Sequence, residues 1–543
     1  MQQDVNTKDT TLLSVRNLEV SYGGAPVLDS VSFDLKKGER VAVVGQSGSG
    51  KSTVIGAILG LLPGTGRISN GSILLDGTDL ADLNGKQMRA IRGTRIGLVP
   101  QDPMSNLNPS MKVGAQIADA LVSNGLRGRA AVKKRAVELM AEAGIPDAGR
   151  RYGQYPHEFS GGMRQRVLIA IALAGEPDLL IADEPTSALD VTVQRQILNH
   201  LQTLVDARGT SLLFVTHDLG LAADRTDRII VMADGRIVET GTPQEIMFDP
   251  QEEYTARLVA AAPSASLLPG VGVMAGPAAG ASPVPVLTVR NLFKEFKLRG
   301  QRGGVVKAVD DVSFSVERGT TTAIVGESGS GKTTVARIVL GLETASGGEA
   351  LINGGSLATS NVRERRALRR IVQPVFQDPF GSLDPTYSIE RLIDEPLRIF
   401  GVGNPQSRRQ RVGELLDQVA LPRTVAQRRP NELSGGQRQR VAIARALALE
   451  PEVLICDEAV SALDVLVQEQ ILDLLGDLQD RLGLSYLFIT HDLAVVRQIA
   501  HNVVVMKSGK VVESGSVDQV FLAPSADYTR ELLGAIPGAA FAR

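Results

Sequence analysis

Two stretches of this chain have the residue types and spacing to hold phosphate. Gly45-Gln46-Ser47-Gly48-Ser49-Gly50-Lys51-Ser52 and Gly326-Glu327-Ser328-Gly329-Ser330-Gly331-Lys332-Thr333 both fit G-x-x-x-x-G-K-[ST]. Each follows an apolar run and opens a helical pattern, which is the context the motif requires. Glycines let the backbone curl until its N–H groups surround phosphate oxygens, and the helix that follows adds its positive end. Gly45, Ser47, Gly48 and Gly50, like Gly326, Ser328, Gly329 and Gly331, are expected to form that cradle. Lys51 and Lys332 are expected to reach the β- and γ-phosphates, and Ser52 and Thr333 to offer a hydroxyl to Mg²⁺. Thr53 and Thr334 follow directly and are counted with the phosphate contacts.

A second set of residues fits water activation. Asp183-Glu184 and Asp457-Glu458 each end an apolar run. The aspartate is placed to hold Mg²⁺, and the glutamate to orient and polarise an attacking water. An acidic pair there can also cap the next helix, but a matched phosphate loop favours the chemical role. Gln101 and Gln377 stand in Gln-Asp-Pro turns, where a neutral amide can touch Mg²⁺ or the water without adding charge. His217 and His491 follow an apolar run and a Thr, and are expected to donate toward the γ-phosphate; His157, His200 and His501 are given no role. Tyr22 and Phe296 occupy matching places, with stacking on a nucleobase and core packing both open. Cys456 is read as a small core residue.

These residues require strands that end together and helices that begin beside them. The apolar runs RVAVVG, DLLIAD and SLLFVTHD read as buried parallel strands. Between them lie helical patterns such as STVIGAILGLL and VTVQRQILNHLQTLVDARG, so the core is α/β. The stretch from about 110 to 155 reads as an inserted helical subdomain. The whole arrangement is written twice: SVRNLEVSY (14–22) matches TVRNLFKEF (288–296), LVPQDPMSNLNP (98–109) matches PVFQDPFGSLDP (374–385), and LLIADEPTSALD (179–190) matches VLICDEAVSALD (453–464). FSGGMRQR (159–166) likewise matches LSGGQRQR (433–440), with Met163 where the other copy has Gln437. The expected domains are 1–260 and 287–543, joined by an uncharged Ala/Gly/Pro-rich linker over 261–286. As a flexible coil, that linker would span about 28 Å.

Composition narrows the setting. With 43% apolar and 22% charged residues the chain reads as a soluble globular protein, and a net charge of −2 gives no footprint for nucleic acid. One cysteine excludes an internal disulfide framework and points to a reducing compartment. The polar start MQQDVNTKDTT lacks the apolar core of a signal peptide, and no uninterrupted apolar run is long enough for a membrane-spanning helix.

Phosphate loop, Gln turn, SGG(Q/M)RQR, DE-x-x-SALD and THD, in this order and twice, resemble the nucleotide-binding domains of ATP-binding cassette transporters. The likeness covers nearly the whole chain apart from the linker and the extreme ends. It implies two tandem P-loop domains, each a RecA-like α/β core with a helical subdomain and an antiparallel β subdomain. It further implies ATP and Mg²⁺ as ligands, and head-to-tail pairing of the two domains. In that pairing Ser434, Gly435 and Gly436 meet the ATP held by Lys51, while Ser160, Gly161 and Gly162 meet the ATP held by Lys332. Asp190 and Asp464 signal across the pair. Both sites keep their glutamate and histidine, and both are expected to work; Ala459-Val460 for Pro185-Thr186 removes no catalytic group. The tails MFDPQEEYTARLVAAAP (247–263) and FLAPSADYTRELLGAIP (521–537) share P-x-x-x-Y-T-x-x-L. This is similar to ATPases of dipeptide/oligopeptide importers, a group that also takes up nickel, glutathione and haem; the tail can also simply pack on its own domain. An importer implies two permeases, an extracytoplasmic solute-binding protein and a peripheral place on the cytoplasmic face of the membrane, with the permeases' helices received after Gln101 and Gln377. The alternative is a soluble twin-cassette ATPase acting on ribosomes, whose linkers are usually long, helical and charged.

Overall fold

The computed structural model describes residues 11–186, 189–262, 285–297, 304–358, 361–461 and 463–541. Most of the proposed linker, together with Ser187, Ala188 and Ala462 of the two SALD stretches, lies outside the described residues. Backbone contacts group the chain into two compact units. One runs to Ala262 and also takes in the C-terminal residues from Pro537; the other ends at Ile536.

In the first unit ten strands form two sheets. They are β1 (Thr11–Tyr22), β2 (Ala25–Lys36), β3 (Arg40–Val44), β4 (Gly66–Leu75), β5 (Thr78–Asp79), β6 (Ile96–Val99), β7 (Leu179–Asp183), β8 (Ser211–Thr216), β9 (Arg228–Ala233) and β10 (Arg236–Gly241). The larger sheet has the order β10-β9-β3-β8-β7-β6 and is parallel except for its β10 edge. Its central strands are apolar along their middles because both faces are covered: Val41 to Val44, Leu179 to Ala182 and Leu212 to Val215 are all buried. The smaller sheet, β2-β1-β4-β5, is antiparallel, with Val15 facing Phe33 on one side and Ile73 on the other. One apolar core joins the sheets, packing Leu13 and Val20 of the smaller with Val43, Ile181 and Val215 of the larger. The expected helical insertion is present as helices Val113–Ser123, Arg129–Glu142 and Ala148–Arg151.

The second unit repeats the plan with β11 (Pro285–Lys297), β12 (Val305–Glu317), β13 (Thr321–Val325), β14 (Gly347–Ile352), β15 (Gly355–Ser356), β16 (Val372–Val375), β17 (Val453–Asp457), β18 (Ser485–Ile489), β19 (Asn502–Lys507) and β20 (Lys510–Ser516). The sheet orders are β16-β17-β18-β13-β19-β20 and β12-β11-β14-β15. Helices Ile389–Phe400 and Pro405–Gln418 form its helical part. Cys456 is fully buried on β17, where burial and then the Asp457 charge push its thiol up to about 12, so it is the inert core residue expected. His501 accepts the backbone N–H of Thr321 at its Nδ1, 3.0 Å away, a structural task.

Candidate functional site

In both units the chemistry-bearing residues gather at the carboxyl ends of the parallel strands, where loops leave an open α/β sheet. After β3 the chain turns through the glycine loop into helix Lys51–Ile58; after β13 it does the same into Lys332–Val339. Gly50 and Gly331 take φ of 101° and 105°, a region that an L side chain rarely enters. A Cβ on Gly45 would lie 2.2 Å from the Met232 carbonyl oxygen, and one on Gly326 would lie 2.1 Å from that of Met506, so the loop's first residue admits no side chain. Lys51 Nζ donates to the carbonyls of Gly45 (2.6 Å) and Gln46 (2.9 Å), and Lys332 Nζ to those of Gly326 (2.7 Å) and Glu327 (2.9 Å). The hydroxyls of Ser49 and Ser330 are buried inside the loops without a hydrogen-bond partner. A curled backbone, a lysine and an orphaned hydroxyl fit a phosphate chain.

The acidic pair sits at the ends of β7 and β17. Glu184 and Glu458 take left-handed backbone angles, φ 42° and 49°, and donate their N–H groups to the carbonyls of Val215 and Ile489, each at 2.8 Å. Their carboxylates are gripped from two sides. Gln101 Nε2 donates to Glu184 Oε2 at 2.8 Å, while His217 Nδ1 lies 3.0 Å from Oε1. Gln377 Nε2 donates to Glu458 Oε2 at 2.6 Å, with His491 Nδ1 3.4 Å from Oε1. The structure thus brings glutamine, glutamate and histidine together in each unit. Burial works to raise the pKa of both glutamates, but the histidine contact and the nearby lysine outweigh it and hold each carboxyl below its ordinary range. The two histidines move the other way: burial disfavours their charge, and the glutamate bond more than restores it.

Asp183 is pushed up to about 6, first by burial and then by the Glu184 charge, with Lys51 opposing; Asp457 is raised for the same two reasons. Thr333 Oγ1 lies 3.5 Å from Asp457 Oδ1. A half-buried carboxylate beside a hydroxyl suits a hard, oxygen-seeking dication such as Mg²⁺. Among the described residues no three His, Cys, Asp or Glu side chains cluster as a metal site, so the remaining ligands would be phosphate oxygens and water.

The SGG segments begin other helices. Ser160 caps Gly161–Ala172 by accepting the Met163 N–H, and Ser434 caps Gly435–Leu447 by accepting that of Gln437. Asp190 and Asp464 cap the helices starting at Val191 and Val465. The two helices of each unit pack closely: a Cβ on Gly162 would meet Val193 at 2.7 Å, and one on Gly436 would meet Val467 at 2.5 Å. Tyr22 is half-buried against the core, whereas Phe296 is 41% exposed with the Lys294 ammonium 4.8 Å from its ring centroid.

Sequence reasoning passed over one contact at each loop. Tyr254 Oη accepts the Gln46 N–H at 3.0 Å, and Tyr528 Oη accepts the Glu327 N–H at 3.1 Å. The signal was present in the shared P-x-x-x-Y-T tails, but nothing in their spacing tells where the ring points. The buried Ser49 and Ser330 hydroxyls likewise carry no local signal that separates them from the other loop positions.

With this geometry in place, a family model described as ABC transporter matches residues 28–187 and again residues 309–461. The chain belongs to the ABC transporter family. It is an ATPase with two tandem cassettes, and each cassette carries its own phosphate loop, Gln turn, acidic pair and histidine. Among its relatives is the glutathione import ATP-binding protein GsiA of Escherichia coli K12, 43% identical over 97% of this chain and 89% of that protein. The oligopeptide transport ATP-binding protein OppD of Mycobacterium tuberculosis is also 43% identical, over 97% of this chain and 98% of its own length. The peptidoglycan transport ATP-binding protein YejF of Agrobacterium fabrum is 44% identical over 97% of both.

Proposed function

We propose that this ABC ATPase drives import of di- and oligopeptides, or of a related solute such as glutathione, haem or nickel, through two permease partners served by an extracytoplasmic solute-binding protein. The observation that carries the hydrolytic part is the grip on Glu184 and Glu458, complete in both cassettes. A carboxylate kept ionised below its ordinary range and held by an amide and an imidazole is suited to orient one water for in-line attack on a γ-phosphate. Lys51 and Lys332 would reach the phosphates from the loop carbonyls on which they rest. Ser52, Thr333, Asp183, Asp457, Gln101 and Gln377 would hold Mg²⁺, which when bound neutralises charge on the β- and γ-oxygens. The SGG segments are assigned to nucleotide contact.

The transport part rests on the relatives' names and on surface chemistry. Among the described residues no helix is long and apolar enough to cross a membrane; the import proteins among the relatives are the ground for assigning the chain a peripheral place on the cytoplasmic face, beside permeases that do cross it. Apolar side chains are exposed close to each glutamine turn: Met104 (63% exposed) in the first cassette, and Phe376 (41%) and Ile399 (63%) in the second, where Ile399 and Phe376 line one groove. They suit the cytoplasmic helices of permeases. The test is affinity capture of the tagged chain from gently solubilised cells, followed by mass spectrometry. Two polytopic permeases in the eluate are expected, and a co-retained solute-binding protein can then be offered peptides, glutathione, haem and nickel. Ribosomal proteins without a permease would overturn the importer.

A further inference from the structure

Each cassette ends in a helix tied back to its own sheet. The Glu239 carboxylate on β10 accepts the N–H groups of Gln251 (2.9 Å) and Glu252 (3.2 Å) just before helix Glu253–Ala261. Glu513 on β20 accepts those of Ser525 (2.7 Å) and Ala526 (3.1 Å) before helix Asp527–Leu533. The second residue of each helix is a tyrosine, and both rings turn to the phosphate loop. The Tyr528 ring is 6% exposed, with the Lys507 ammonium 4.2 Å from its centroid.

The bond each hydroxyl makes falls on one peptide plane. The Gly45 carbonyl and the Gln46 N–H belong to the same rigid unit. That carbonyl accepts from Lys51 Nζ at 2.6 Å, while the N–H on the opposite side donates to Tyr254 at 3.0 Å. In the second cassette the Gly326 carbonyl accepts from Lys332 Nζ at 2.7 Å and the Glu327 N–H donates to Tyr528 at 3.1 Å. The plane is clamped between the phosphate-reaching lysine and the tail tyrosine. Rotating it would move the carbonyl against which the ammonium rests.

We propose that Tyr254 and Tyr528 are positioning residues of the phosphate loops: each hydroxyl fixes the peptide plane that places Lys51 or Lys332, so that nucleotide affinity depends on the tail helix. A tail that merely packs on its own domain needs the aromatic ring but not its oxygen. The same bond in both cassettes, made by residues far apart in sequence, favours the positioning role.

Tyr254→Phe, Tyr528→Phe and the double substitution keep the ring and the fold while removing the oxygen. In the full chain, binding of a non-hydrolysable ATP analogue measured by titration calorimetry with Mg²⁺ should weaken roughly tenfold at the altered cassette, the scale of one lost hydrogen bond at a partly buried N–H. In the double variant KM for ATP should rise by a similar factor, with kcat at saturating ATP within about twofold of wild type and the nucleotide-free melting temperature little changed. Wild-type affinity at both sites in the double variant would overturn the assignment. So would a lowered melting temperature with unchanged affinity, which marks packing, or a fall in kcat with KM unchanged, which marks a role in the chemical step.

Discussion

Glu184 and Glu458 join an uncommon backbone conformation to a two-sided grip on the side chain. A glutamate in the left-handed region is disfavoured by its Cβ; here the N–H bonds to Val215 and Ile489 hold it there and aim the carboxylate past the strand end. Glu184→Gln and Glu458→Gln keep size and remove the charge. Each should slow hydrolysis at its own cassette by a few hundredfold, about 3–4 kcal/mol for one well-placed catalytic group. Single-turnover ATPase rates check this, and near-normal turnover in the double variant would refute it. Glu513 makes a prediction in pH. Burial works to raise its pKa, but the Thr529 side chain and then the hydrogen bonds from Ser525 and Ala526 prevail and hold it down at about 2, against an ordinary 4.5. Because the folded value is the lower one, its contribution to stability is full above the ordinary value and is lost as pH falls through about 2. The melting temperature of Glu513→Gln should therefore trail wild type near neutral pH, with the gap narrowing as pH drops below about 4.

At the scale of elements, the SGG helices show what the exchange of Met163 for Gln437 does. In the second cassette Ser434 and Gln437 cap each other: the Ser434 hydroxyl accepts the Gln437 N–H at 3.3 Å, and Gln437 Oε1 accepts the Ser434 N–H at 3.1 Å. In the first, Met163 donates its N–H to Ser160 but has no oxygen to return the bond. Met163→Gln should complete the box and stabilise the first cassette by about 0.5–1 kcal/mol, read from denaturant unfolding; no gain would mean that the Ser160 N–H is already served. The helices that follow the acidic pairs were legible from their apolar periodicity. For their N-terminal aspartates, Asp190 and Asp464, the family resemblance implies signalling; what the structure shows is that they cap these helices. A cap and a signalling carboxylate look the same in sequence, since both are an acidic residue before an apolar helix.

For the molecule as a whole, duplication with both sets intact predicts two nucleotides per chain. Calorimetry should count two for wild type and one for either Lys51→Ala or Lys332→Ala, and a wild-type count of one would mean that a cassette is silent. By itself the sequence determined the repeat, the α/β core, the helical insertion and the phosphate loops. Each of these rests on local patterns: apolar runs where strands are covered on both faces, and glycines where no Cβ fits. Gln101, Glu184 and His217 were each named from sequence, but only the tertiary structure decided that one carboxylate would be held by the other two. It alone set β3 between β8 and β9, bringing the loop and the histidine strand to one sheet end. It alone carried Tyr254 to Gln46, 208 residues away. Such contacts are chosen by how strands order and helices pack around a shared core, and a tail tyrosine has the same local sequence whether its hydroxyl meets solvent or a phosphate loop.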